Sequence, residues 1–207
     1  SNNNNHIRIS TLNLNTFPID YRDESKQDAL RHELQKINPD ILGLTELNYN
    51  WNNLEAKDQL HQQMKGWWKN NSIQRAWMKT DSQSKIQTGG TATLLLEDTT
   101  SYRNSGGSDK QKMGRWSWIT MTNNDHTIAT TIITIYFPNR TYGPYTTFTQ
   151  QHEKIRDEQP KETPDAIDEY YKDLEELIKG KTEEEHQIIL MGDFNKDMNK
   201  TNHKMAE

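Results

Sequence analysis

The chain predicts a layered α/β domain in which helices cover mixed β-sheets, and three observations carry that prediction. Short apolar runs such as Ile41-Leu42-Gly43-Leu44 alternate with stretches of helical period in the first third and at the C-terminal end. Between them the period falls to two, across a polar turn, which is a hairpin signal. Polar side chains then stand just past the strand ends, where sheets of this kind gather ligand-binding groups at one rim.

Residues 6–14 alternate loosely through Ile7, Ile9, Leu12 and Leu14 and predict a first strand. A helix follows with Leu30, Leu34 and Ile37 on one stripe, closed by Asn38-Pro39. The run 41–45 is too short for a helix, reads as a buried strand, and ends at Glu46. Residues 53–68 return to helical spacing through Leu60, Met64 and Trp67 or Trp68. Residues 76–78 and 91–96 predict strands, with Gly89-Gly90 as the turn before the second. Residues 116–122 and 126–137 alternate on either side of Asn123-Asn124-Asp125, the hairpin already noted. Residues 101–114 and 156–165 read as loops, and a last helix spans 166–179 with Ile167, Tyr171, Leu174 and Ile178 on one face. Ile188-Ile189-Leu190-Met191 forms a final strand, and Gly192 then lets the backbone turn.

With 207 residues the chain suits one domain, placed at 7–198 between a polar lead-in (1–6) and a polar tail (199–207). Hydrophobic residues make up 31% and mean hydropathy is -1.10, so the strands must be joined by long polar loops. No apolar run approaches the length of a membrane span. The absence of Cys excludes disulfide-linked partners, thiolate metal sites and a cysteine nucleophile. It is compatible with an intracellular home, nuclear or cytoplasmic, as is the missing secretory signal. A net charge of -5 supplies no global basic field, so a polyanion has to be met by local cations or a metal ion.

Local cations do exist. Lys65, Lys69, Arg75, Lys79 and Lys85 are interleaved with Trp67, Trp68 and Trp77, and Lys110, Lys112 and Arg115 form a second group. Such mixtures can stack bases and bind phosphates, although core tryptophans beside solvated lysines are the commoner reading. Arg140 is better placed, just past a strand end. The spacing Asp193-x-Asn195-x-Asp197-x-Asn199 is not a calcium loop, because Met198 and Lys204 stand where Gly and Glu are required.

Singly, each strand-end residue reads as a turn former or a packed aromatic. Together they form an ordered set: Thr11-Leu12-Asn13-Leu14-Asn15, Leu44-Thr45-Glu46-Leu47-Asn48, Ile135-Tyr136-Phe137-Pro138-Asn139 and Gly192-Asp193-Phe194-Asn195. This set resembles the endonuclease/exonuclease/phosphatase superfamily of DNase I-like phosphoesterases, and within it the endonuclease domains of non-LTR retrotransposons. Gly89-Gly90-Thr91-Ala92 and Gly114-Arg115-Trp116 resemble central strands of the same group.

The resemblance implies a DNase I-like sandwich and Mg²⁺- or Mn²⁺-dependent hydrolysis of a DNA phosphodiester. Glu46 would hold the metal with Asn15 beside it. Asn13 and Asn195 would hold phosphate oxygens or orient the catalytic carboxylate, Asp193 would align the attacking water, and Tyr136 would hydrogen-bond the phosphate. Asn139, Arg140 and Arg115 would meet the nucleic acid. Relatives also carry a Ser-Asp-His segment on a later strand, which these 207 residues lack. The expectation is a C-terminally truncated sheet, with an edge and apolar faces uncovered. Two further readings stay open: a phosphatase or phosphodiesterase acting on inositol phosphates or lipid head groups, and an inactive module that binds nucleic acid or protein.

Overall fold

The structure is a computed structural model, and it describes residues 6–19, 24–80, 83–158 and 165–196. The terminal part of the predicted domain, the polar tail and nearly all of the lead-in lie outside the described residues.

Eight strands form two four-stranded mixed sheets. The first has the order β1-β2-β4-β3, built from Ile9–Asn13 (β1), Ile41–Thr45 (β2), Thr91–Leu96 (β4) and Asn71–Ala76 (β3). The second has the order β5-β6-β7-β8, from Arg103–Ser108 (β5), Trp116–Thr122 (β6), Ala129–Tyr136 (β7) and Gln187–Asp193 (β8). Each sheet holds one parallel pair, β1 with β2 and β7 with β8, and its other pairs are antiparallel. The sheets stack so that β1 lies near β8 and β3 near β5.

Helices Glu24–Ile37 (α1) and Leu60–Lys65 (α2) accompany the first sheet, and Thr147–Glu158 (α3) and Ala166–Glu183 (α4) the second. Three apolar layers result. Leu34, Met64, Trp67 and Trp68 pack with Leu42, Leu44 and Leu94 beneath the first sheet. Phe148, Ile167, Tyr170 and Leu174 pack with Trp116, Ile133 and Ile135 beneath the second. Between the sheets lie Ile41, Leu95, Ile119, Ile132 and Met191.

That middle layer changes character along the strands. Past Ile41 and Ile132 it is filled by Gly43, Thr93, Ser117 and Thr134, with Thr93 Oγ1 donating to Thr134 Oγ1 at 2.8 Å. A side chain on Gly43 would meet Met191 and Thr134 within 2.9–3.1 Å, so the sheets approach closely here. Hydroxyl pairs satisfy one another where hydrocarbon would not fit, which is how a chain so poor in apolar residues fills a two-sheet core. One step further along the same face come Asn13, Tyr136 and Asp193.

Several sequence expectations need correction. The spacing of 53–68 does not make one helix: it breaks into 3₁₀ turns at Trp51–Asn53 and Ala56–Asp58 before α2. Gln59 Nε2 donates to the carbonyls of Trp51 and Leu54 at 2.7 and 3.1 Å, a local alternative to helical bonding. Residues 103–108 are a strand rather than loop. Residues 76–78 contribute only the end of β3 and an isolated bridge from Met78 to Met113. Thr147–Glu158 is a helix that the sequence pattern does not predict. Ile37 is 51% exposed and does not continue the Leu30–Leu34 stripe inward. Trp67 and Trp68 are core residues, not base-stacking platforms.

Candidate active site

The two parallel pairs place four strand ends at one rim. Asn13 pairs with Thr45 in the register of β1 and β2, and Tyr136 with Asp193 in that of β7 and β8. Asn13 crosses between the sheets. Its amide Nδ2 donates to Glu46 Oε1 at 2.9 Å and to Asp193 Oδ2 at 2.6 Å, so one amide holds a carboxylate from each sheet. Two carboxylates side by side repel one another; a donor shared between them offsets that repulsion and fixes their spacing.

The loops that leave these strands are held in left-handed backbone. Asn15, Glu46, Asn48 and Asn195 have φ of 43°, 52°, 53° and 46°. Asn tolerates this conformation and Glu does so poorly, so Glu46 stores strain of order 1–3 kcal/mol. The surroundings hold it there. Thr16 N–H donates to the Glu46 carbonyl at 2.9 Å and Leu14 N–H to that of Thr45 at 3.0 Å. Asn48 ties the next turn to Gly89 through a 2.9 Å backbone bond, and its Oδ1 accepts from Gly89 N–H at 2.7 Å.

On the other side, Asn195 N–H donates to Asp193 Oδ1 at 3.0 Å and Asn195 Nδ2 to the Phe137 carbonyl at 2.8 Å. Asn139 Nδ2 donates to Asn195 Oδ1 at 3.0 Å. The carboxylate of Asp193 is therefore held from both oxygens, by Asn195 and by Asn13. The Tyr136 phenol lies beside Glu46 and Thr147 at the same cavity. Burial above all, and then the Glu46 carboxylate, push its phenol up to about 12 against the opposing influence of Thr147. Tyr136 is thus a neutral donor at any physiological pH.

A cavity of about 330 Å³ opens at this rim, bordered by Asn15, Glu46, Tyr136, Asn139 and a Thr-rich wall of Thr88, Thr141, Thr146 and Thr147. Asn48, Thr147 and the other threonines join the site without a role predicted from the sequence. Asn48 had a signal, since it follows Glu46 at the same i, i+2 spacing that separates Asp193 from Asn195. Thr147 had none, because it arrives on a helix with weak apolar periodicity.

Two predicted residues do not join the site. Arg115 is fully buried beneath the second sheet, where its Nη2 donates to Asp173 Oδ2 at 2.6 Å and its Nε lies 3.6 Å from Asp109. A guanidinium with no exposure cannot meet a polyanion from solution; it fastens α4 to the sheet instead. Arg140 lies on the rim loop but turns to Asp165, the N-cap of α4, at 2.7 Å. No histidine lines the cavity among the described residues.

Oxygen donors from Glu46, Asp193 and neighbouring amides suit a hard cation. Among the described residues no group of three or more His, Cys, Asp or Glu could enclose one. One or two carboxylates with the remaining positions left to water and phosphate are what Mg²⁺ ordinarily takes, so the donor set fits.

The model of the Endonuclease/Exonuclease/phosphatase family matches residues 10–204, nearly the whole chain. The chain belongs to this family. No curated protein matches it by sequence. Among solved structures, the human Nocturnin catalytic domain with bound sulfate superposes with a TM-score of 0.57 at 15% identity, covering 94% of this chain and 65% of that one. The AP endonuclease of Leishmania major gives 0.59 at 19%, covering 91% and 55%. A mannosyl-6-phosphatase of Bacteroides thetaiotaomicron gives 0.55 at 14%, covering 95% and 68%. These likenesses establish the shared DNase I-like fold of mixed sheets flanked by helices. The chain spans between about half and two thirds of the length of the first two. Among the described residues no helix is long and apolar enough to cross a membrane.

Proposed function

We propose that this member of the endonuclease/exonuclease/phosphatase family hydrolyses phosphodiesters in DNA, nicking a strand in the manner of a non-LTR retrotransposon endonuclease. The observation that carries the reading is the single amide of Asn13 holding Glu46 and Asp193 together beside a neutral Tyr136. Asp193, aligned by Asn13 and Asn195, orients the attacking water and accepts its proton. Tyr136 donates to a non-bridging phosphate oxygen, where its bond strengthens as charge develops. Glu46 and Asn15 are the residues that would hold Mg²⁺ or Mn²⁺. Such an ion, when bound, supplies charge that offsets the negative charge growing on the phosphoryl oxygens.

The Leu-Asn-x-Asn, Tyr-x-Pro-Asn and Gly-Asp-Phe-Asn strand ends support the retrotransposon-type reading. The fold is shared with an AP endonuclease and with a 3'-5' exonuclease from Neisseria meningitidis, which supports nucleic acid as substrate. The cavity lining also disfavours an inositol polyphosphate. None of the ten described residues that border it is Lys or Arg, whereas several phosphates on one ring are ordinarily met by several cations.

Plasmid nicking with Mg²⁺ or Mn²⁺ tests this, comparing the wild type with Glu46→Ala and Asp193→Ala. The expected result is nicking by the wild type and a loss of at least about a hundredfold in each variant. Nicking untouched by either substitution refutes the site. Phosphate release from an inositol polyphosphate without strand cleavage would replace the reading with the phosphatase, and DNA binding without hydrolysis would replace it with the inactive module.

A further inference from the structure

The loop joining β7 to α3 holds two aromatic rings out into water. Tyr142 and Tyr145 are 72% and 79% exposed, more than any other large hydrophobic side chain among the described residues. An isolated exposed aromatic is ordinary; here two lie on one loop whose backbone is braced. Thr146 Oγ1 donates to the Thr141 carbonyl at 2.6 Å, and Gly143 N–H donates to Thr149 Oγ1 at 3.2 Å. Thr141 N–H donates to the Asn139 carbonyl at 2.7 Å, and Asn139 is itself tied to Asn195. Tyr142 stands edge-on to Phe148, ring centroids 5.2 Å apart, and Phe148 borders the active-site cavity.

The chemistry around these rings favours an anionic, flat-faced ligand. Residues 126–152 contain no Asp or Glu, in a chain with 30 such residues overall. The Arg140 guanidinium of the same loop lies 5.8 Å from the Phe148 ring and is shared with Asp165 at 2.7 Å, so the rings rather than a free cation supply the recognition. A hydroxyl- and amide-lined cavity for the phosphate with phenol faces beside it matches a nucleotide: phosphodiester within, base stacked outside.

We propose that Tyr142 and Tyr145 form a stacking platform for bases unpaired beside the phosphate that is cut, so that nicking falls where a DNA duplex is locally opened. This rests on the phosphodiesterase reading above and adds a substrate class to it. Bases inside a duplex stack on their neighbours and present no free face to the two rings.

The test uses two fluorescently labelled oligonucleotides of equal length. One is an oligothymidylate, and the other carries abasic tetrahydrofuran units at its internal positions, so both have the same phosphate charge. Binding is followed by anisotropy in EDTA at fixed salt, which separates recognition from turnover, and cleavage is followed with Mg²⁺. The expected wild-type preference for the base-bearing strand is on the order of tenfold for each stacked ring. It should shrink in Tyr142→Ala and Tyr145→Ala and survive in the Phe and Trp replacements. A duplex of the same sequence should compete less well than the single strand. Equal binding of the two strands by the wild type, or a preference unchanged in both alanine variants, overturns the platform even if cleavage is observed. A preference that falls in the alanine variants while no strand is cleaved upholds the platform and refutes the hydrolytic reading alone.

Discussion

Gly192→Ala should inactivate the site by moving Asp193, and the displacement follows from the structure. Gly192 sits in β8 at φ 130°, opposite Ile135 of β7. A Cβ added there would lie 2.0 Å from the Ile135 carbonyl oxygen and 2.8 Å from its nitrogen. The shortest ordinary C···O approach is about 3.3 Å, so the two strands must part by roughly 1.3 Å at this point. The next residue is Asp193, whose hydrogen bond from Asn13 is 2.6 Å long. A shift of that size takes the bond beyond ordinary hydrogen-bond range. A misplacement of about 1 Å at reacting groups costs on the order of a hundredfold in rate. Backbone strain and overpacking together add about 2–6 kcal/mol of destabilisation. For a chain of this length that lowers Tm by roughly 5–20 °C. Circular dichroism melting and a nicking assay on one preparation measure both quantities. A variant with wild-type Tm and wild-type activity would show that β7 and β8 do not hold this register, and the reasoning about Asp193 would fall with it.

Three other expectations follow from the same geometry. Asn13→Ala removes the one donor shared by Glu46 and Asp193; nicking should fall by about a hundredfold with Tm little changed, and activity within threefold of wild type would refute the bridging role. Tyr136 is pushed up to about 12, so the unfolded chain releases this proton near pH 10 while the folded one keeps it. Stability should therefore be level below pH 10, fall from pH 10 to about 12, and fall less steeply in Tyr136→Phe in melts at alkaline pH. Arg115→Met leaves the buried Asp109 and the largely buried Asp173 without their cation; denaturant unfolding should show a loss of about 3–5 kcal/mol, and a loss under 1 kcal/mol would mean the buried pairs are dispensable.

The elements that were legible in the sequence are those whose burial is asymmetric or complete. β2 and β4 are buried on both faces and read as short, mostly apolar runs free of charge, with threonines where the sheets meet. β6 and β7 alternate across a polar turn, and α4 carries a continuous apolar stripe capped by Asp165. β5 was invisible because Arg-Asn-Ser-Gly-Gly-Ser has no alternation. It is an edge strand held by backbone bonds to β6, with Gly107 leaving room for the Trp118 ring, which a side chain there would meet at 2.7 Å. α3 was invisible because its buried face mixes Phe148 and Ile155 with Thr147 and Gln151.

The site divides along the same line. Sequence by itself determined the strand-end residue types, the Asn, Glu, Tyr and Asp that now share one rim, because each lies in a local motif whose strand and turn are encoded within a few residues. It also determined the family, since four such motifs in order constrain one another. Only the tertiary structure decided which of them touch. That Asn13 reaches both carboxylates depends on two sheets meeting across a contact 180 residues apart in sequence. Burial was decided there too. Arg115 and Arg140 look alike in sequence, yet one is sealed in the core against Asp109 and Asp173 and the other sits on the rim loop. A charged side chain's surroundings come from elements distant along the chain, and no local pattern records them.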